Sequence, residues 1–351
     1  MSSPDPSAAR GRKPLRRFLS VLGGSALTLV ATVFALLLIT FFLNSRSPID
    51  PALAVAGDHA SQATYQQTRR QLGLDDSIAV QFGRYVGRLA RGDLGVSRST
   101  GQSVASDLGR AFPATIELAT LALILSTIVG LFLALAAASR PGGFWDSVSR
   151  ALSLVGTSVP VFWFGLLLLA LFYARLKLLG GPGRLDDVYQ YTVSLKTGFL
   201  LFDALRSGQV GAFRNALSHI VLPVAVLALD GSARISRITR SSLLDELSKE
   251  YVTFARTKGS SQRRVLLRHA LPNVRGSTII VVALTYIDLL EGAVLTETVF
   301  SWPGVGRYLT TALFAADSPA ILGTTFALGV LFVLINSTVD SLVKLTDPRL
   351  K

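Results

Sequence analysis

The chain alternates between long apolar runs and short polar, mostly basic breaks. The runs cover residues 18–43, 112–138, 147–173, 217–238, 277–299 and 320–345. A helix of about 20 apolar residues crosses a hydrocarbon core of about 30 Å. The pattern therefore predicts an all-α integral membrane protein with six transmembrane helices. Arg10, Arg12, Lys13, Arg16 and Arg17 abut the first run, so residues 1–17 read as a cytoplasmic basic tail. A cleaved signal peptide would have an apolar core of only about 7–15 residues, and the run at 18–43 is longer, so this span is expected to stay attached. Six spans return the tail at 346–351 to the cytoplasm. Between Arg234 and Arg275 ten Lys/Arg face three acids, and this second signal agrees with the orientation set by the first.

The polar intervals then fall into place. Residues 44–111 form an extracytoplasmic loop with helical patterning over 65–72. It also carries an amphipathic stretch through Phe82, Tyr85, Val86 and Leu89, ended near Gly92. Residues 174–216 form a second extracytoplasmic segment, with an apolar patch at 193–205 that Lys196 and Asp203 interrupt. GGPGR at 180–184 has no flanking strand and no following Lys-Ser/Thr, so it reads as a turn rather than a phosphate cradle.

Composition narrows the chemistry. Half of the residues are hydrophobic and 16% are charged. The net charge of +13 sits beside spans rather than on one soluble module, which argues against a nucleic-acid partner. There is no cysteine, so a disulfide framework and a Cys-based metal site are excluded. His59, His219 and His269 are scattered; no HExxH and no G-x-x-x-x-G-K-[ST] occurs. His219 reads as a capping or packing residue. No Ser/His pair or metal set lies at matching depths, which leaves a membrane-embedded hydrolase without support.

The most informative break is the loop at 247–273, LSKEYVTFARTKGSSQRRVLLRHALPN. Tyr251, Phe254 and Ala255 fall at i, i+3, i+4 and share one helical face. Gly259 is placed to end that helix in the left-handed conformation open to glycine. Ala255 and Gly259 are both too small to hold a partner away, so the segment reads as a short exposed helix built to be gripped. A plain positive-inside loop would be basic too, but it would not need Glu, Ala and Gly at this spacing.

These residues carry a resemblance. Glu250-Tyr251 with Ala255 and Gly259, followed by Leu271-Pro272, resembles the EAA loop of bacterial ABC importer membrane subunits. EYVTFARTKG followed by RRVLLRHALPN is similar to the peptide/nickel branch, the dipeptide and oligopeptide permeases. QLGLDDS…QFGRYVGRLARGDLGVS resembles that family's first periplasmic loop. His219 stands in its HxxLP pattern, and GAVLTETVFSWPGVGRYL, with Glu297 in ETxFSWPG, resembles its exit from the fifth span.

The resemblance implies a type I ABC importer permease fold, with a five-helix core over 112–345 around the coupling loop. Glu250, Tyr251, Ala255 and Gly259 would dock on an ATP-hydrolysing subunit. The implied partners are a second homologous permease, two ATPase subunits and an extracytoplasmic substrate-binding protein, all at the bacterial inner membrane. This chain would bind no cofactor; ATP and Mg would belong to the ATPase subunits. Short peptides, nickel chelates and sugars are the open substrate classes.

Two intramembrane acids stand apart. Asp288 and Glu291 lie at i, i+3 in the fifth span, and the family pattern more often has a small residue at position 291. A charge at the bilayer centre costs about 2.5–3.5 kcal/mol on insertion scales, so the pair is expected to line the substrate path. Burial against a partner permease, or a place near the outer end of the span, would also accommodate it. Two carboxylates one turn apart repel each other, and a cationic group on a ligand would relieve that repulsion. The alternative function is a secondary transporter using these acids as a proton or cation relay; it leaves the Glu250–Gly259 pattern without purpose. Arg234, Arg237 and Ser241, with Arg240 close by, form a polar face that reads as a set of side chains snorkelling to the cytoplasmic interface, or as a face that transmits motion.

Overall fold

The computed structural model describes residues 30–46, 50–57 and 59–346. The expected basic tail at 1–17, the first part of the expected first span and nearly all of the tail at 346–351 lie outside them. Among the described residues the chain is helical, and its one isolated antiparallel bridge joins Val96 to Ser103.

Helix α1, Val30–Ser45, leads into three short helices: α2 (Pro51–Ala56), α3 (Gln62–Gln71) and α4 (Ile78–Leu89). The helical patterns expected at 65–72 and around Phe82–Leu89 are thus both present. Asp50 starts α2 by accepting the Ala52 N–H, and Ser61 starts α3 by accepting the Thr64 N–H. Each cap satisfies one of the donors that a helix start leaves unpaired.

Helix α5 runs over Val104–Ser139, with Ser103 as its N-cap. Its 36 residues span ~54 Å at 1.5 Å per residue, so it extends beyond the hydrocarbon core. Helix α6 (Phe144–Ser158) and helix α7 (Val161–Leu168) follow, and α7 continues as a π-helix over Leu169–Arg175. The uninterrupted span expected at 147–173 is a broken one: the two arms bend by 104°. Pro160 explains the break. It lacks an N–H and pushes the preceding residue out of the helical region, and Val159 sits at φ −90°, ψ 122°.

After α8 (Leu200–Arg206), helix α9 covers Val210–Leu247. The basic break holds α10 (Glu250–Thr257), α11 (Gln262–Arg264) and a π-turn at Val265–Ala270. Helix α12 (Leu271–Val299), α13 (Val305–Phe314) and α14 (Ser318–Thr346) complete the chain. Among the described residues, four helices are long and apolar enough to cross a membrane, or five when the bent pair is taken as one span. The expected sixth, at 18–43, is described only from Val30.

The core forms where α5, α9 and α12 meet. Ala114, Leu118, Ala122, Ile220, Leu227, Leu289 and Ala293 pack there around Trp302. Small residues let the helices approach closely, which is how helices associate where lipid gives no hydrophobic drive. The Ser149 and Ser236 hydroxyls, 2.8 Å apart, join α6 to α9 in the same way.

Candidate functional site

The loop at 247–273 is held by one carboxylate. Glu246, in the last turn of α9, is only 7% exposed. It accepts the Tyr251 hydroxyl at 2.6 Å and the Asn273 amide at 3.0 Å, and it pairs with the Lys249 ammonium. Asn273 also donates to the Tyr251 oxygen at 2.9 Å. Burial first, and the neighbouring Glu246 carboxylate second, hold the Tyr251 hydroxyl above its ordinary pKa, so it stays a donor. The end of α9, the first turn of α10 and the start of α12 are therefore one hydrogen-bonded knot.

Beneath the knot lies a small apolar core. Val252 is fully buried among Ala134, Ala138, Leu243, Leu247, Val265 and Val274, and Ala255 packs against the same cluster. The inward face of α10 is thus Val252 with Ala255, at i, i+3. The face read from the sequence through Tyr251, Phe254 and Ala255 divides: Ala255 packs inward, Tyr251 turns its hydroxyl to Glu246, and Phe254 is 61% exposed. The Lys258 ammonium lies 4.4 Å from the Phe254 ring centre. Glu250, in the first turn, is exposed.

Gly259 ends the segment as its composition suggests. At φ +84° its N–H reaches the Arg256 carbonyl at 2.9 Å, and the Ser260 N–H reaches the Ala255 carbonyl at 3.1 Å. This double closure is the Schellman form of a helix end. A Cβ placed on Gly259 would meet nothing within 4 Å among the described residues, so what favours glycine there within them is the positive φ and not crowding. Further on, Pro272 cannot donate to the carbonyl four residues back, and the chain runs as a wider π-turn just before it.

The loop after α5 sits at the same end of the bundle. Asp146, 1% exposed, accepts the Arg240 Nε at 2.5 Å and the Gly142 N–H at 2.9 Å. This loop and the one at 247–273 therefore share one end of the bundle, clamped to α9.

Along the bundle, Asp288 of α12 pairs with Arg234 of α9. The same guanidinium lies 3.7 Å from Asp230. Arg234 thus turns to acids on α9 and α12, on the face for which the sequence offered either snorkelling to the cytoplasmic interface or transmission of motion. The side chains of Arg234, Asp288 and Asp230 are 35%, 32% and 30% exposed. Charges that open to this degree in a membrane helix need a polar cover. Glu291, one turn beyond Asp288, is exposed and makes no ion pair among the described residues. The two acids are therefore not equivalent: one is matched by an arginine, the other is open.

At the opposite end, ETVFSWPG folds around Glu297, which is fully buried. Its carboxylate accepts the Thr115 hydroxyl at 2.6 Å and the Gly306 and Arg307 N–H groups at 2.7 and 3.1 Å. It thereby caps the start of α13 from another helix. A Cβ on Gly304 would lie 2.1 Å from the Glu297 Oε1, so the glycine makes room for the cap. Trp302 donates its indole N–H to the Ala114 carbonyl at 3.0 Å. Arg184, from GGPGR, pairs with the buried Glu117, which also accepts the Leu200 and Leu201 N–H groups at 3.2 and 2.9 Å. His219 fills the packing role read for it, its ring nitrogens 2.9 Å from the Gly181 carbonyl and 3.1 Å from Asp186.

Comparison with known proteins bears on this geometry. A model of the binding-protein-dependent transport system inner membrane component matches residues 126–351, and a model of the N-terminal part of such membrane components matches residues 16–126. The chain is 42% identical over 333 residues to the probable D,D-dipeptide transport system permease protein DdpB of Escherichia coli (strain K12), covering 95% of this chain and 98% of that protein. It is 39% identical over 324 residues to the di/tripeptide transport system permease protein DppB of Pseudomonas aeruginosa (strain UCBPP-PA14), covering 92% and 96%. A structure of the MetNI methionine ABC transporter aligns with a TM-score of 0.49 at 15% identity over 68% of this chain and 96% of that one.

Proposed function

The chain belongs to the binding-protein-dependent transport system inner membrane components and is a multi-pass ABC importer permease subunit, and from that premise we propose that short peptides are its cargo. The relatives named for dipeptide and tripeptide transport support that substrate class ahead of nickel chelates or sugars. The secondary-transporter reading has no observation in its favour.

A separate ATPase subunit docks on α10, with Glu250, Tyr251, Ala255 and Gly259 in the docking segment. ATP and Mg are held by two such subunits, and an extracytoplasmic binding protein delivers the peptide to this chain and a second, homologous permease. Both termini face the cytoplasm of a bacterial cell, beneath the inner membrane. The observation that carries the docking is the exposed Phe254 on a helix whose other side is pinned by Val252 and Glu246. A force on α10 passes through Glu246 to α9 and through Asn273 to α12. These are the two helices that Arg234 and Asp288 join. ATP-driven closure of the ATPase pair would thus reach the path by rigid connection, a coupling of two distant sites through a two-state interface.

Asp288 and Glu291 line that path. Arg234 fixes Asp288, and Glu291 is the open carboxylate for a peptide's free amino terminus. The test is ATP-driven uptake into proteoliposomes holding both permeases, both ATPases and the binding protein, with a dipeptide and its N-acetylated form. Uptake of the free peptide on ATP, with a preference over the acetylated form that Glu291→Gln removes, is expected. Uptake on a proton gradient without ATP would overturn the reading.

A further inference from the structure

At the end of the bundle that carries Ser97 and Asp317, α4 lies across α1. The Phe41 ring centre is 5.3 Å from Phe82 and 5.6 Å from Tyr85. The Tyr85 hydroxyl donates to the Leu322 carbonyl at 3.2 Å, which ties α4 to the start of α14. Between α1, α4 and α14 lies a cavity of about 710 Å³.

Its lining has two characters. Phe41, Leu94 and Leu322 form an apolar wall, and Arg88, Arg91 and Arg98 supply charge. None of these three arginines makes an ion pair among the described residues; the fourth lining arginine, Arg84, is taken by Asp76. Two acids are near. Asp93 accepts the Gly95 N–H at 2.9 Å, and Asp317 accepts the Ser97 hydroxyl at 2.7 Å and the Ser99 N–H at 2.9 Å. The Arg98 Nη1 is buried with no hydrogen-bond partner. Burial pushes the Arg98 guanidinium down against the opposing field of Asp317. A guanidinium keeps its proton at any working pH, so the cost of that burial is relieved by an incoming anion rather than by deprotonation.

The apolar wall indicates which anion. Its Phe41 and Leu322 belong to α1 and α14, the membrane helices that border the cavity, while Leu94 comes from the segment before α5, and α1 still exposes Ile39, Phe42 and Leu43. We propose that this cavity binds the phosphate headgroup of an anionic phospholipid, with the acyl chains lying along α1 and α14. Such a lipid would fasten α1 to the five-helix core. The proposal draws on the family reading only for the leaflet, which is the extracytoplasmic one.

The full chain is reconstituted in nanodiscs of phosphatidylethanolamine with a minor fraction of phosphatidylglycerol, extracted in mild detergent, and its retained lipid read by native mass spectrometry. The wild type should retain phosphatidylglycerol over phosphatidylethanolamine, and inorganic phosphate should not displace it. Arg91→Gln with Arg98→Gln should weaken retention about fivefold for each arginine. Arg88→Gln with Arg91→Gln, at two exposed positions, is a second variant in case loss of Arg98 disturbs folding. An unselective wild type, retention unchanged in both variants, or displacement by free phosphate would each overturn the lipid assignment. If Arg88→Gln with Arg91→Gln keeps the lipid but loses stimulation by the binding protein, the cavity is a protein-docking site and the proposal fails.

Discussion

Arg234 and Asp288, 54 positions apart in the chain, form the ion pair that joins α9 to α12 inside the bundle. Exposed pairs contribute about 0–1 kcal/mol and breaking buried ones costs about 3–5 kcal/mol, so removing one partner of this third-exposed pair should cost about 1–3 kcal/mol. Arg234→Gln and Asp288→Asn should each lower the melting temperature of the purified chain. The double variant should recover part of that loss, because neither charge is then left alone. Additive losses would show that the two side chains do not act as a pair.

Glu297 caps α13 from the end of α12. Glu297→Ala strands two N–H groups and the Thr115 hydroxyl, and the loss should be about 2–3 kcal/mol. Glu297→Gln keeps one acceptor oxygen and should lose less. Thermal unfolding in detergent reads both, and equal losses would remove the capping role.

Asp317 sets a pH dependence. Burial would raise its carboxyl, but the Ser99 and Ala320 N–H groups and the Ser97 hydroxyl hold it below the ordinary carboxylate value. A carboxylate with a depressed native pKa stabilises the fold fully above its unfolded pKa, and that contribution fades as pH falls through the native one. The melting-temperature gap between wild type and Asp317→Asn should therefore be constant from neutral pH to about 5 and shrink below about 4. A gap that widens on acidification would reverse the sign and reject this account.

The orientation is tested by labelling, since the native chain has no cysteine. Single cysteines at Ser261 and Ser99 occupy exposed positions at opposite ends of the bundle. A membrane-impermeant reagent should reach Ser261→Cys only from the cytoplasm and Ser99→Cys only from outside. Reaction of both from one side would contradict the topology.

The long helices were legible because apolar runs of 22–27 residues leave few other solutions in a membrane. The break at Val159-Pro160 was written in the sequence too, but the apolar run on either side outweighed one proline. Arg234 with Asp288 was not readable, since nothing local links residues on two separate spans. Asp230 and Arg234, at i, i+4 on one helix, were a local sign that this arginine had inward partners. In the loop, three apolar residues at helical spacing suggested one exposed face built to be gripped. Val252, buried instead, is separated from Phe254 by one residue, and composition alone does not say which of two apolar faces meets the chain's own core. Gly259 was readable because a left-handed helix end limits the choice of residue so strongly. Glu297 was visible as part of a motif, yet its role as a cap depends on Thr115, which lies in another helix.

In the proposed function α10 is the grip for an ATPase subunit, pinned on one side and bare on the other. Phe254→Ala removes the exposed ring and touches nothing in the core. Gly259→Val adds a side chain whose Cβ meets nothing within 4 Å among the described residues, at a backbone conformation that costs an L-residue about 1–2 kcal/mol. Both variants should insert and keep the fold. The measurement is ATP hydrolysis stimulated by the peptide-loaded binding protein in reconstituted complexes. Stimulation should fall toward the basal rate in both variants, while the melting temperature stays near wild type in Phe254→Ala and drops by only a few degrees in Gly259→Val. Wild-type stimulation in both would contradict that grip.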